Sequence, residues 1–427
     1  MPADQNNAPE VHCSPHSTIH VQLWMWKLWA SFFLVVTLNN QSTNAFWQLL
    51  FLRPSQAGPE LLTPNDYWLP GEVVPVDYVL KLVVHMGNLT TRGEVRVEVE
   101  VVEDTSTITL HANSDFVKIA HDKVVVQEVE NSSNKIPLKD YKEDSEKDFY
   151  TMTLASEVKR GQSLLLTFPF TGVIRDARRN GTVLVDSTDT GGDRSKLTGF
   201  YVSTDGDWGI MALTFFVPHG ARKAFPCFDE PKLKATFSVS LARPRQYSSL
   251  GNMPHKEVGA VMEEDHNYQW DHYKKSLKMS TYLVKWVVST FNYVEANTTR
   301  GVRVRAYYGE NANKSMSHGV ESAVKILDHL EKVFKMEYQL SKIDLVAVPF
   351  FPFQAMEDWG LISVRVQHIQ FEEDHSPSRF FMQTKDEHNY SFVYDRLVKV
   401  PCVSDYLSRA VSPVGWKSCL LCLVSFF

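Results

Sequence analysis

Residues 94–102 read EVRVEVEVV. Val95, Val97, Val99 and Val101 fall on one face, and Glu94, Arg96, Glu98 and Glu100 on the other. Successive side chains of a strand point to opposite faces, so this alternation predicts a half-buried antiparallel strand. The same reading extends outward to 107–110 (TITL), 163–168 (SLLLTF), 236–241 (TFSVSL), 281–288 (TYLVKWVV) and 302–307 (VRVRAY). Polar, turn-rich pieces such as 131–146 and 186–196 separate these runs. Many short strands between about 76 and 300 predict a mainly β N-terminal domain, a β-sandwich or saddle-like sheet structure.

The period changes after Asn313. Between Ser317 and Met336, Val320, Ala323, Val324, Leu327, Leu330, Val333 and Phe334 recur at three- and four-residue spacing. That predicts an amphipathic helix. Glu321–Lys325, Asp328–Lys332 and Glu331–Lys335 are i,i+4 pairs in the favourable order, which marks a solvated face. A strand is expected at 343–348 (IDLVAV), then a proline-broken loop, then a strand near 361–366. A second domain of mixed α and β character therefore opens near residue 300. No internal repeat is visible. Beyond about 375 the pattern fades, and 376–427 mixes Ser, Pro and charge before ending in LLCLVSFF. This tail reads as divergent, in the manner of a frame change or retained intron.

The chain has 427 residues, of which 44% are hydrophobic and 22% charged. That composition is globular and excludes collagen, bulk disorder and disulfide-dense scaffolds. A net charge of −6 lacks the clustered positive charge that nucleic acid requires, so no nucleic-acid partner is expected. No run of eighteen uninterrupted apolar residues occurs, which excludes a polytopic membrane protein. Residues 28–38 (LWASFFLVVTL) follow Lys27 and have the length of a secretory h-region; a signal-anchor holding the chain to a membrane is the alternative. Five prolines between residues 54 and 75 mark a linker. Seven N-x-S/T sequons, at Asn40, Asn88, Asn131, Asn180, Asn297, Asn313 and Asn389, add to the expectation of an extracellular, cell-surface or lumenal glycoprotein. Of the five cysteines only Cys227 sits in the main body, so no disulfide framework is expected there. Cys419-x-x-Cys422 lies in the apolar tail with no second pair, and His12, His16 and His20 are interrupted by Pro15; neither set reads as a metal site.

Two segments could carry chemistry. In Arg222-Lys-Ala-Phe-Pro-Cys-Phe-Asp-Glu-Pro231 the adjacent Asp229 and Glu230 could form an acid/base pair, but strand neighbours point apart. A rigid structural turn, with Arg222 as ion partner, is the plainer reading. In Phe353-Gln-Ala-Met-Glu-Asp-Trp-Gly360, Glu357 could bind an ammonium group through charge-assisted hydrogen bonds.

Taken together, FPCFDEP at 225–231, LKATF at 233–237, MSTYLV at 279–284 and AMEDWG at 355–360 resemble the zinc aminopeptidases of the aminopeptidase N type, a gluzincin family. Leu69-Pro70, Val74-Pro75, Tyr78, LHAN at 110–113, SLGNMP at 249–254 and KIDLVAVP at 342–349 fit the same family. The resemblance covers about residues 67–372. It implies a leader and linker over 1–66, an N-terminal β domain over 67–300, the start of a thermolysin-like α/β catalytic domain over 301–375, and a divergent tail over 376–427. It places the substrate-binding G-x-M-E-N loop on Gln354, Ala355, Met356, Glu357 and Asp358, with Glu357 gripping the substrate's free α-amino group.

The sequence departs from that family at several points. Gln354 stands for its Gly. Asp358 stands for its Asn, which adds negative charge beside Glu357. Val217 stands at a polar pocket position. No His in the chain is followed by Glu, so the family's H-E-x-x-H zinc motif is missing; the window where the family carries it is about 387–392. A catalytic zinc needs three protein ligands. Zinc is thus the family's cofactor, while no metal ligand and no catalytic residue is predicted for this chain. It is expected to be inactive as it stands. Two readings remain open: an incomplete product of an aminopeptidase locus, or a non-catalytic secreted product that binds peptide N-termini weakly or associates with a full-length relative. A generic adhesion module would not need FPCFDEP. A catalytic domain broken off early would leave apolar faces exposed, so the region beyond about 310 is expected to be loosely held, with a protease-resistant core ending near 300–315.

Overall fold

A computed structural model describes residues 67–131, 133–176, 199–203, 210–309, 313–349, 351 and 355–369. The leader, the 376–427 tail, the 387–392 window and Gln354 lie outside them.

The strand read at 94–102 is Thr90–Val101, and Val95, Val97, Val99 and Val101 are at most 1% exposed. It pairs antiparallel with Val73–His85 on one side and Ser163–Val173 on the other. These strands are central to a nine-stranded sheet. Outward from Val73–His85 lie Thr236–Pro244, which runs parallel to it, then Tyr268–Tyr273 and the edge strand His255–Val261. Outward from Ser163–Val173 lie Val125–Glu128 and Lys135–Ile136, while Val117–Ile119 also pairs with it. A three-stranded sheet, Thr105–His111, Phe149–Val158 and Leu138–Asp144, supplies the second layer. Its Ile108, Leu110, Tyr150 and Met152 share one buried cluster with the valines of Thr90–Val101 and with Leu164, Leu166 and Phe168. The mainly β, sandwich-like expectation is met.

A five-stranded sheet holds, in order, Arg175–Asp176, Gly199–Ser203, Met211–Phe215, Trp286–Ser289 and Ser248–Gly251. Residues 281–288, read as one strand, divide: Thr281–Leu283 is a turn of 3-10 helix and Trp286–Ser289 is the strand. The Thr281 hydroxyl donates to Asp229 Oδ1 at 2.9 Å, which draws this stretch out of the sheet.

A second five-stranded sheet is mixed. Its order is Asn292–Asn297, Arg303–Tyr308, Lys342–Val348, Leu361–Arg365 and Ala355–Met356. Arg303–Tyr308, Lys342–Val348 and Leu361–Arg365 run parallel, and the two edge strands are antiparallel to their neighbours. The helix Asn313–Phe334 makes the crossover between the first two parallel strands, as parallel pairing demands. It ends two residues before the predicted Met336 because Lys335 takes φ +50°, outside helical geometry.

Met316, Val320 and Leu327 of this helix pack on Val304, Ala306, Leu345 and Ile362. The opposite face of the sheet, with Tyr307, Val346, Val348 and Leu361, packs on Leu213, Phe215, Leu250 and Val287 of the preceding sheet. Val346, Val348 and Leu361 are completely buried. The expectation of exposed apolar faces beyond 310 is therefore corrected for these strands: the β domain's own sheet covers them.

Candidate functional site

The edge strand Ala355–Met356 pairs antiparallel with Leu361–Arg365. Between the two, residues 357–360 turn sharply, with Leu361 N–H bonded to the Asp358 carbonyl at 2.9 Å. Gly360 has φ +77°, and a Cβ there would run into the carbonyl oxygen of Asn252. Only glycine meets both demands.

Three groups from other elements clamp this turn. Lys285 Nζ lies 2.7 Å from Asp358 Oδ2. The Asn252 amide donates to the carbonyls of Leu283, at 2.8 Å, and Trp359, at 3.0 Å, while its Oδ1 accepts from Lys285 N–H at 2.7 Å. Lys342 Nζ donates to the carbonyls of Gly251 and Gly360, both at 2.7 Å, and pairs with Asp344 at 2.7 Å. Asp344 in turn holds Arg305 by two bonds, of 2.8 and 3.0 Å. Every one of these side chains is buried. Groups so sealed from water need ionic or hydrogen-bonded partners, and here each has one.

The resemblance assigned Ala355, Met356, Glu357 and Asp358 to substrate binding, and the structure places the first two on the edge strand and the last two on the turn that follows it. They do not face alike. Ala355 and Glu357 are half-buried, whereas Met356 and Asp358 are buried. Met356 belongs to the apolar cluster between the sheets, with Phe351 and Leu361. The negative charge expected beside Glu357 points inward to Lys285. Burial pushes the Asp358 carboxyl up to about 6, against the opposing pull of Lys285. Val217 is half-buried against the same cluster as Met356. An apolar side chain therefore occupies the position at which the resemblance implies a polar one.

Sequence reasoning missed Lys285, Asn252 and Lys342. A lone lysine inside the apolar run TYLVKWVV was the available signal, since a lysine seldom lies buried without a partner.

FPCFDEP is a structural knot. Asp229 Oδ2 accepts from Arg222 N–H and Nε, at 3.2 and 3.1 Å. Asp229 N–H donates to His111 Nδ1 at 3.2 Å, and Cys227 and His111 exchange backbone bonds of 3.0 and 2.8 Å. Glu230 Oε1 accepts from Leu69 N–H, and the Tyr78 hydroxyl oxygen accepts from Phe228 N–H at 3.0 Å. The two carboxylates thus serve different backbone segments and form no acid/base pair. Cys227 is buried as a free thiol.

Among the described residues no group of three or more His, Cys, Asp or Glu side chains could hold a metal ion. The sequence holds no H-E-x-x-H anywhere. The described residues do not fit a catalytic zinc.

Comparison with known proteins matches residues 74–283 to the peptidase M1 N-terminal domain and residues 318–388 to the peptidase family M1 domain. Endoplasmic reticulum aminopeptidase 1 of Homo sapiens is 32% identical over 358 residues, covering 82% of this chain and 35% of the relative. The thyrotropin-releasing hormone-degrading ectoenzyme of Rattus norvegicus is 33% identical over 314 residues, covering 72% and 27%. Glutamyl aminopeptidase of Mus musculus is 30% identical over 365 residues, covering 79% and 36%. The chain spans about a third of the length of these relatives.

Proposed function

This chain belongs to peptidase family M1, and on that premise we propose that it carries the amine-binding part of an aminopeptidase site without the hydrolytic part. The observation that supports this reading is the clamped turn that presents Glu357. Its neighbours Asp358, Trp359 and Gly360 are each tied to a different buried partner. The half-buried Glu357 therefore sits on a preorganised backbone, and a carboxylate held in that way binds an ammonium more strongly than a freely hydrated one. The free α-amino group of a peptide is the matching ligand. The adjoining edge strand Ala355–Met356 offers backbone groups to an extended peptide.

Aminopeptidases of the family are zinc enzymes. Zinc would supply a water nucleophile and a Lewis acid for the peptide carbonyl. The described residues do not fit that ion, so no hydrolytic step is assigned to them, and the chain is read as non-catalytic. Its place is the lumen or the cell surface, in keeping with the names of its relatives. Among the described residues no helix is long and apolar enough to cross a membrane.

The test pairs binding with turnover. Leucine amide should perturb the protein's NMR spectrum, N-acetyl-leucine amide should not, and Glu357→Gln should lose the response while keeping its melting temperature. Chromogenic amino-acid amides should remain uncleaved. Chelator-sensitive release of the chromophore would overturn the non-catalytic reading. Equal binding of the acetylated and free amides would overturn the amine reading.

A further inference from the structure

Asn88, Asn131 and Asn297 are the three sequon asparagines whose side-chain exposure the structure describes, and all three are exposed. The one buried asparagine among the described residues, Asn252, stands in Asn-Met-Pro and is no sequon. Asn88 lies in the turn between Val73–His85 and Thr90–Val101, and the Thr90 hydroxyl donates to Asn88 Oδ1 at 2.8 Å. The hydroxyl two residues on thus already reaches the amide that would be modified. Asn131 opens a turn closed by Asn134 N–H to the Asn131 carbonyl at 2.8 Å, with Ser133 exposed. Asn297 ends the edge strand Asn292–Asn297, just before the Thr298–Gly301 turn.

We propose that Asn88, Asn131 and Asn297 carry N-linked oligosaccharides. The proposal rests on the lumenal reading given above. The donor is an oligosaccharide on a polyprenyl diphosphate. The asparagine amide nitrogen bonds to the anomeric carbon as that carbon's bond to the diphosphate oxygen breaks. The diphosphate leaves with the electron pair, and the amide proton passes to a base of the transferring enzyme. No oxidation or reduction is involved. At Asn297 the transfer precedes docking of the helix, because in the folded chain the Thr299 hydroxyl is bound to Asp328 at 2.8 Å.

The position of Asn297 has a consequence. It ends one edge strand of a five-stranded sheet whose other edge is Ala355–Met356. Four strand spacings, about 19 Å, separate the two edges. A glycan on Asn297 leaves the Glu357 turn open. It also shields an edge strand whose Tyr293 is 49% exposed and which would otherwise invite pairing with another chain.

The full chain is translated with endoplasmic-reticulum microsomes, then treated with protease and with a peptide N-glycanase. The protease-protected chain should lose mass on glycanase treatment. Asn88→Gln, Asn131→Gln and Asn297→Gln should each remove one gel step. Thr90→Ala should remove the same step as Asn88→Gln, while Thr90→Ser should keep it. Peptide mass spectrometry after glycanase digestion in heavy-oxygen water should show labelled aspartate at all three positions. A protected chain unmodified at these residues overturns the proposal. A chain that the protease destroys overturns the lumenal reading, and the proposal with it.

Discussion

Lys285 Nζ lies 2.7 Å from Asp358 Oδ2, and the two side chains are 1% and 4% exposed. Lys285 comes from the β domain, next to the strand Trp286–Ser289; Asp358 comes from the turn after Ala355–Met356. One buried ion pair therefore fastens the turn that carries Glu357 to the neighbouring sheet. Removing one partner of such a pair leaves a stranded charge, at a cost of about 3–5 kcal/mol, whereas removing both is often close to neutral. Asp358→Asn is thus expected to destabilise the chain more than the double change Lys285→Met with Asp358→Asn. Urea midpoints of the three proteins check the order. A single variant as stable as the parent would remove the fastening role.

The same pair sets a pH dependence. Burial raises the Asp358 carboxyl from the ordinary 3.8 to about 6. Between those values the folded chain holds a proton that the unfolded chain has released. The stability this group contributes is fully present below 3.8 and is lost as pH rises through about 6. The stability of the parent relative to the double variant should therefore decline from pH 4 to pH 6 and level off above. Selective labelling of aspartate carboxyl carbons should show one titration with a midpoint near 6.

His111 gives the opposite sign. It is completely buried, and burial, helped by Arg222 and His219, lowers its imidazole to about 2. The unfolded chain takes up a proton near 6.5 that the folded chain refuses. The contribution of His111 is present above 6.5 and is lost as pH falls toward 2. In NMR its ring carbon protons should stay fixed between pH 4 and pH 8. A titration of that ring within this range would contradict its sealed environment.

The strand Thr90–Val101 was legible because its period-two pattern is local. The helix Asn313–Phe334 was legible for the same reason, from its three- and four-residue spacing. The clamp was not. Asp358 is 73 positions from Lys285, and Trp359 is 107 positions from Asn252. No local pattern tells a buried lysine which carboxylate it will meet. The cover over Val346, Val348 and Leu361 was missed on similar grounds: their partners Phe215, Leu250 and Val287 come from a sheet far earlier in the chain. The knot around Asp229 was half legible. Arg222 lies seven residues away and could be named, but Thr281 lies 52 away and could not.

Gly360 and Gly301 both take positive φ, of +77° and +84°, but their surroundings differ. Nothing lies within 4 Å of a Cβ built on Gly301, whereas one on Gly360 meets the Asn252 carbonyl and, at 2.7 Å, a Leu340 methyl. Gly301→Ala should cost about 1 kcal/mol of backbone strain. Gly360→Ala adds a steric clash to that strain and should cost roughly 2–4 kcal/mol. It should also loosen the Asn252–Trp359 bond and weaken amine binding. Denaturant midpoints and leucine-amide titrations on both variants check this; equal losses would show that the close approach is unimportant.

The buried seam also decides how far the folded unit extends. A protease-resistant core ending near 300–315 follows only if the later strands lack cover. Lys342–Val348 is buried at every position, and Leu361 to Val364 likewise. Lys342 ties Gly251 of the β domain to Gly360, and Asn252 ties Leu283 to Trp359. Cutting at 310 would expose Phe215, Leu250 and Val287 on one side of the seam and strand Asp358 and Lys285 without each other. Opening the seam costs the apolar burial of the whole cluster, at about 25 cal/mol per Å², in addition to the broken ion pair. A backbone cut between the β domain and Lys342–Val348 is therefore not expected to release the downstream piece. After limited trypsin treatment, a fragment carrying Leu361–Arg365 should co-elute with the β domain on size exclusion under native conditions and separate from it only in denaturant. Release of that fragment under native conditions would show that the seam does not hold.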